Sequence, residues 1–177
     1  ASLHYMEEKP DAGDLVDQQA VPILPNDTAG EVFDKVAVAA ELVLDRSLPG
    51  LVNGTAPRTP LDLKAGSYFG RRRPEDGRID WLSPAQTVHN LVRAVAPPYP
   101  GAFSSVKGTL LRVLCSHYAG EPARHAAGRL YMEAGRCHAD CGDGKRIQVL
   151  QVEFDGEVMD AVYFLTHRGV SYLALGE

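Results

Sequence analysis

The sequence predicts an α/β piece joined to a small, mainly β domain. Three observations predict it: an amphipathic helical pattern with start signals over 28–45, short strand-like runs separated by glycine turns after Tyr99, and a change of texture between Tyr68 and Trp81. With 177 residues, of which 45% are hydrophobic and 23% charged, the chain can build one core or two small ones. Its net charge of −5 disfavours a broad electrostatic grip on nucleic acid, although a local basic patch stays compatible. No stretch approaches the roughly 20 apolar residues of a membrane span, and no signal peptide is visible. Cys115, Cys137 and Cys141 are too few for a disulfide framework and fit a reducing compartment, so a cytoplasmic location is expected.

Each element has a local cause. Leu3 to Glu8 alternates and reads as a strand, followed by the charged turn Lys9-Pro10-Asp11-Ala12-Gly13 with a carboxylate at its tip. Gly13 permits a positive φ, so the backbone can bend sharply and let another molecule approach. A ligand-facing Asp needs such a turn, and an ordinary surface turn has the same pattern. Asp14 to Leu24 reads as extended, and the strand at 3–8 is expected to leave an edge and an apolar face that either pair with another chain or order poorly.

Thr28 and Glu31 form a capping-box pattern, and Val32, Phe33, Val36, Ala37, Ala40, Val43 and Leu44 supply an apolar stripe at helical spacing. The helix is expected to stop before Pro49-Gly50, with a short continuation through Leu51 and Val52. Residues 55–66 read as an irregular connection. Over 67–81, two short extended pieces flank a turn beside Arg71, Arg72 and Arg73. Their planar forks suit an anion such as a nucleotide phosphate, and a solvated loop paired with Glu75 and Asp76 fits equally.

A second helix starts at Ser83 as N-cap with Pro84 and Gln86, buries Val88, Leu91, Val92 and Val95, and ends at Ala96-Pro97-Pro98. His89 and Asn90 inside it read as a satisfied or solvent-facing pair. Beyond the turn at Pro100-Gly101-Ala102-Phe103, strand-like runs cover 110–115, 128–134, 147–154 and 162–175, with a hairpin-type turn at Gly142-Asp143-Gly144, as in a small barrel or sandwich.

Cys137-His138-Ala139-Asp140-Cys141 carries zinc-ligand chemistry, but its C-x3-C spacing lacks a second paired half. On a strand it would place Cys137, Ala139 and Cys141 on one side and His138 and Asp140 on the other, so no metal is expected. No dinucleotide or phosphate-loop glycine pattern and no Gly-x-Ser-x-Gly elbow occurs. Spacing alone supplies no complete catalytic apparatus.

Three stretches together resemble the 10-formyltetrahydrofolate-dependent formyltransferases, in order and in spacing. They are Leu3-His4-Tyr5-Met6 running to Asp11-Ala12-Gly13-Asp14-Leu15-Val16-Asp17-Gln18, then Tyr68-Phe69-Gly70-Arg71-Arg72-Arg73-Pro74-Glu75-Asp76-Gly77-Arg78-Ile79-Asp80-Trp81, and His89-Asn90-Leu91-Val92-Arg93-Ala94-Val95 leading to Pro100-Gly101-Ala102-Phe103. Within the family, the domain that formylates a UDP-linked 4-amino-4-deoxy-arabinose in polymyxin resistance and lipid A modification is most similar, and methionyl-tRNA formyltransferase less so.

The resemblance implies the C-terminal part of a Rossmann-like catalytic domain over 1–77, followed by a linker helix and an OB-like β-barrel domain over 78–177. It makes Asp11 the catalytic carboxylate, and Glu8, Lys9, Pro10, Ala12 and Gly13 a loop lining the folate pocket. Arg71, Arg72 and Arg73 become contacts to the acceptor's nucleotide. The implied cosubstrate is 10-formyltetrahydrofolate, with a nucleotide-linked amino sugar as acceptor, tRNA less favoured, no membrane partner and a homo-oligomer as one expectation. The family's Asn-x-His motif occurs nowhere in the sequence, and His4, on the strand before the loop, is no substitute for its His. The chain is therefore expected to be the C-terminal part of a longer enzyme and inactive by itself.

Overall fold

The computed structural model describes residues 1–176; Glu177, the last residue of the expected second domain, lies outside the described residues. The chain forms two compact units, one from Ala1–Pro25 with Glu31–Arg71, the other from Asn26–Gly30 with Arg72 onward.

In the first unit, β1 (Ser2–His4) and β2 (Leu15–Gln18) form a two-stranded antiparallel ladder with a bulge between Leu3 and His4. The strand expected over 3–8 is thus three residues long and finds its partner inside the chain. The long helix is α1 (Ala29–Val52). It runs through Pro49 instead of stopping before it. A helical proline loses one backbone bond, and the ladder resumes at once, with Asn53 N–H donating to the Pro49 carbonyl at 3.1 Å and Thr55 N–H closing onto Gly50 at 2.8 Å.

The buried line of α1 passes through Ala39 and Val43. The expected stripe is therefore corrected: Phe33 is 66% exposed, and Ala37, Ala40 and Leu44 also face outward. The outward side of α1 carries Phe33, Val38, Leu42, Leu44 and Leu48 beside the charged Glu41, Asp45 and Arg46. Arg46 ties α1 to β2 by donating to Asp17 at 2.5 and 3.0 Å, which holds the Asp17 carboxyl down at about 2.

The second unit is a curled antiparallel sheet carrying two helices. Its members are α2 (Ala85–Ala94), β3 (Ala102–Val106), β4 (Thr109–His117), β5 (Arg129–Glu133), β6 (Arg136–Asp140), β7 (Arg146–Phe154), β8 (Glu157–Asp160), α3 (Ala161–His167) and β9 (Tyr172–Ala174). The strand order is β3-β4-β7-β6-β5-β9, with β8 paired to β7. One backbone bond, Gly176 N–H to the Ser105 carbonyl at 2.9 Å, brings the two ends of that path together.

Two local expectations change here. The Ser83 hydroxyl donates to Asp80 at 3.1 Å rather than capping α2, and the Asp143 carboxylate in the 142–144 turn accepts from Ala85 N–H at 3.2 Å. Residues 162–167, expected as strand, are helical, because the Asp160 carboxylate accepts from Val162 and Tyr163 N–H and Ala161, Phe164 and Leu165 are buried at helical spacing.

β6 carries the Cys-His cluster and is buried on both sides. Cys137, Ala139 and Cys141 join the apolar core with Trp81, Val88, Leu111, Leu130 and Phe164. On the other side, Asp140 accepts from the Tyr131 hydroxyl at 3.0 Å and from the Arg124 and His125 N–H groups. Buried Arg146 donates to the Tyr131 hydroxyl at 3.0 Å and pairs with Glu121 and Glu133. These bonds tie β5, β6 and β7 to the 118–128 connection, and buried charge is tolerated because it is paired.

His138 lies beside this network with its Nδ1 buried and without a hydrogen-bond partner among the described residues. Burial first, then the Arg146 charge, pushes its pKa below the ordinary 6.5. The unfolded chain then binds more protons than the folded one as pH falls past about 6.5, so stability should drop there and level off below the folded value. Glu121 and Glu133, held low chiefly by Arg146, add a separate loss only below about 4.5. Thermal midpoints measured from pH 7.5 to 5 should show a smaller slope for His138→Gln than for the unaltered chain; equal slopes would contradict this.

Candidate functional site

The candidate site that the sequence points to lies within the first unit, on the loop between β1 and β2. Tyr5 N–H donates to the Asp14 carbonyl at 3.0 Å and closes the loop's neck. Between these residues the chain bulges outward through Met6–Gly13. Gly13 is required by contact rather than by the positive φ expected of it: a Cβ there would lie 1.8 Å from the Tyr5 carbonyl oxygen. The positive φ falls on Asp11, at 57°, a conformation that aspartate tolerates better than most residues.

Asp11 therefore stands at the tip with its side chain 84% exposed. Its Oδ1 is 3.7 Å from Nε2 of His4, whose Nδ1 lies 3.0 Å from the Tyr5 carbonyl. With Nδ1–H donating to that carbonyl, His4 attracts Asp11 only when Nε2 is also protonated. The sequence carried no signal for this approach, since a bulged three-residue strand sets it.

A cavity of about 590 Å³ is lined by Glu7, Glu8, Lys9, Ala12, Gly13, Asp14 and Leu63. Four of the residues assigned to the folate-lining loop, Glu8, Lys9, Ala12 and Gly13, thus share one wall. Pro10 and Asp11 are outside the lining, whereas Glu7, Asp14 and Leu63 belong to it without having been singled out. Leu63 comes from the irregular 55–66 connection, too far along the chain for spacing to have found it. Lys9 Nζ sits 5.4 Å from the Tyr68 ring centroid, an exposed cation–π contact.

Arg71, Arg72 and Arg73 are exposed. Asp76 accepts from the Arg73 backbone N–H at 2.7 Å, at the start of a 3-10 turn over Pro74–Gly77. Among the described residues no carboxylate forms an ion pair with the three guanidinium groups, so the alternative of a loop paired with Glu75 and Asp76 does not hold for the side chains.

The remaining candidates have structural roles. Cys137 and Cys141 are buried, which pushes both thiols up to about 12, and no group of three or more metal-ligating side chains converges among the described residues. His89 is buried with Nδ1 2.9 Å from the Ser116 hydroxyl, joining α2 to β4. No helix of the described residues is long and apolar enough to cross a membrane.

A family model described as "Formyl transferase, C-terminal domain" matches residues 71–169. The fold is similar to an N-formyltransferase from Helicobacter canadensis in complex with folinic acid and dTDP-3-aminofucose, with TM-score 0.67 and 21% identity over 84% of this chain and 54% of that one. It is also similar to HypX from Aquifex aeolicus in complex with tetrahydrofolic acid (TM-score 0.68, 19% identity, 93% of this chain and 29% of that one). Methionyl-tRNA formyltransferase from Clostridium thermocellum gives TM-score 0.53 and 19% identity over 86% and 54%. The chain spans little more than half of these proteins at most. At such identities the likeness is one of fold.

Gly13→Ala should open the loop's neck, because the added methyl cannot coexist with the Tyr5 carbonyl. Cleavage at Glu7 and Glu8 by a glutamate-specific protease should accelerate by about tenfold, the factor that roughly 1.4 kcal/mol of local opening produces. An unchanged cleavage rate would show that the neck is not held by this approach.

Proposed function

We propose, from the premise that the chain belongs to the formyl transferase C-terminal domain family, that it is part of an enzyme moving a formyl group from 10-formyltetrahydrofolate to a primary amine. The proposed acceptor is a nucleotide-linked amino sugar, specifically a UDP-linked 4-amino-4-deoxy-arabinose, acted on in the cytoplasm. In this reading residues 1–77 complete a Rossmann-like catalytic domain, and 78–177 form the linker helix and an OB-like domain. Support comes from the family match and from a fold similar to that of an N-formyltransferase bound to a folate and an aminosugar nucleotide.

The observation that carries the reading is the placement of Asp11. A bulged loop holds its carboxylate out at a tip, beside a cavity lined by Glu8, Lys9, Ala12 and Gly13. In formyl transfer the amine nitrogen attacks the formyl carbon, and a tetrahedral oxyanion forms. Collapse breaks the bond to the folate nitrogen, and the amine's proton must leave. Asp11 is the group on this chain that takes that proton and passes it toward the departing nitrogen. The oxyanion needs donors that are neutral or positive, and the loop's other carboxylates cannot supply them. An Asn and a protonated His acting with this chain fill that role. Arg71, Arg72 and Arg73, whose guanidinium groups form no ion pair with a carboxylate among the described residues, are proposed to hold the anionic nucleotide of the acceptor.

The test is a formylation assay with 10-formyltetrahydrofolate on the intact gene product and on the 177 residues alone. Asp11→Asn should lower the intact product's turnover by about 10²–10⁴, and the 177 residues alone should not turn over. Undiminished turnover by Asp11→Asn would sink the assignment, and faster formylation of methionyl-tRNA than of amino sugars would move the acceptor to tRNA.

A further inference from the structure

We propose that Arg58 is a positioning residue for the loop that carries Asp11, an inference that rests on the formyl-transfer reading. The sequence marks Arg58 only as part of an irregular connection. In the fold, its neighbour Thr59 exchanges both backbone hydrogen bonds with Leu15, at 2.8 and 3.0 Å, which fixes the 58–59 segment against the start of β2. From there the Arg58 side chain reaches across the neck of the loop. Its guanidinium carbon lies 3.8 Å from the Tyr5 ring centroid, and Nη1 is 3.9 Å from Asp14 Oδ2.

Tyr5 and Asp14 are the two residues whose backbones close that neck. One guanidinium thus touches both ends of the loop. The planar group can stack on a ring and pair with a carboxylate at the same time, which an ammonium cannot do as well. The ion pair is exposed, 61% on Arg58 and 36% on Asp14, so its energy is small and the stack adds a comparable amount. Its effect is geometric: proton transfer requires the Asp11 carboxylate within hydrogen-bond reach of the reacting nitrogen, and a widened neck spreads that carboxylate over many positions.

The experiment has two arms. In the 177-residue chain, hydrogen exchange of the amides from Tyr5 to Gly13 should be roughly three- to tenfold faster in Arg58→Ala than in the unaltered chain, and Arg58→Lys should fall between. Amides of the second unit should not change. In the intact gene product, Arg58→Ala should lower kcat by a similar factor, and should lower it no further in an Asp11→Asn background. A purely structural role predicts equal losses in both backgrounds.

Unchanged exchange in the loop would overturn the proposal, as would a kcat loss that persists without the Asp11 carboxylate. Absence of turnover in the unaltered product together with the expected exchange effect would overturn the formyl-transfer reading and the positioning role with it, leaving Arg58 as a brace of the loop alone.

Discussion

The placement of Asp11 depends on a close approach in which the backbone at Gly13 lies against the Tyr5 carbonyl. A side chain at Gly13 would collide with it at 1.8 Å. That approach brings Tyr5 N–H within 3.0 Å of the Asp14 carbonyl, and closure there turns Met6–Gly13 into an outward bulge rather than a continuation of β1. The bulge forces a left-handed residue near its apex, and aspartate bears that conformation at modest cost. Exposure of the carboxylate, its 3.7 Å distance from His4 and the cavity on the loop's wall follow from the same closure.

The two units are stabilised differently. The second has a continuous apolar core, and its buried charges are paired, with Arg146 between Glu121 and Glu133 and Asp140 satisfied by a hydroxyl and two backbone N–H groups. The first unit relies on a short bulged ladder, a surface network from Arg46 to Asp17, and a helix whose outward face carries Phe33, Leu44 and Val52. Fewer buried contacts make such a unit the one that opens locally.

Periodicity reveals α2, β4, β5 and β7, because alternation and buried helical faces leave local marks in the sequence, whereas β3 begins inside the stretch expected as a turn at 100–103 and the short β8 carries no such mark. α3 was missed although Asp160 followed by Ala161, Phe164 and Leu165 is a cap and a helical face; the β-rich composition around Tyr163 masked a seven-residue helix. β6 was read conditionally, and its division of Cys137 from His138 is the one the strand imposes. The buried line of α1 departs from the apolar stripe because periodicity says which residues share a face, not which face meets a neighbour. At the site, the turn at Asp11 and the small residues after it were visible in the chain. The His4 approach, the cavity wall at Leu63 and the Arg58 contact were not, since each joins residues through a fold that spacing does not encode.

The most direct measurement is a backbone amide NMR titration of the 177-residue chain with folinic acid, a stable folate analogue of the proposed cosubstrate. If the Asp11 loop faces the folate, shifts should concentrate at the amides of Glu7, Glu8, Lys9, Ala12, Gly13, Asp14 and Leu63 and diminish in Gly13→Ala. Shifts confined to the second unit, with the loop silent at saturating ligand, would contradict the assignment of this loop as the site.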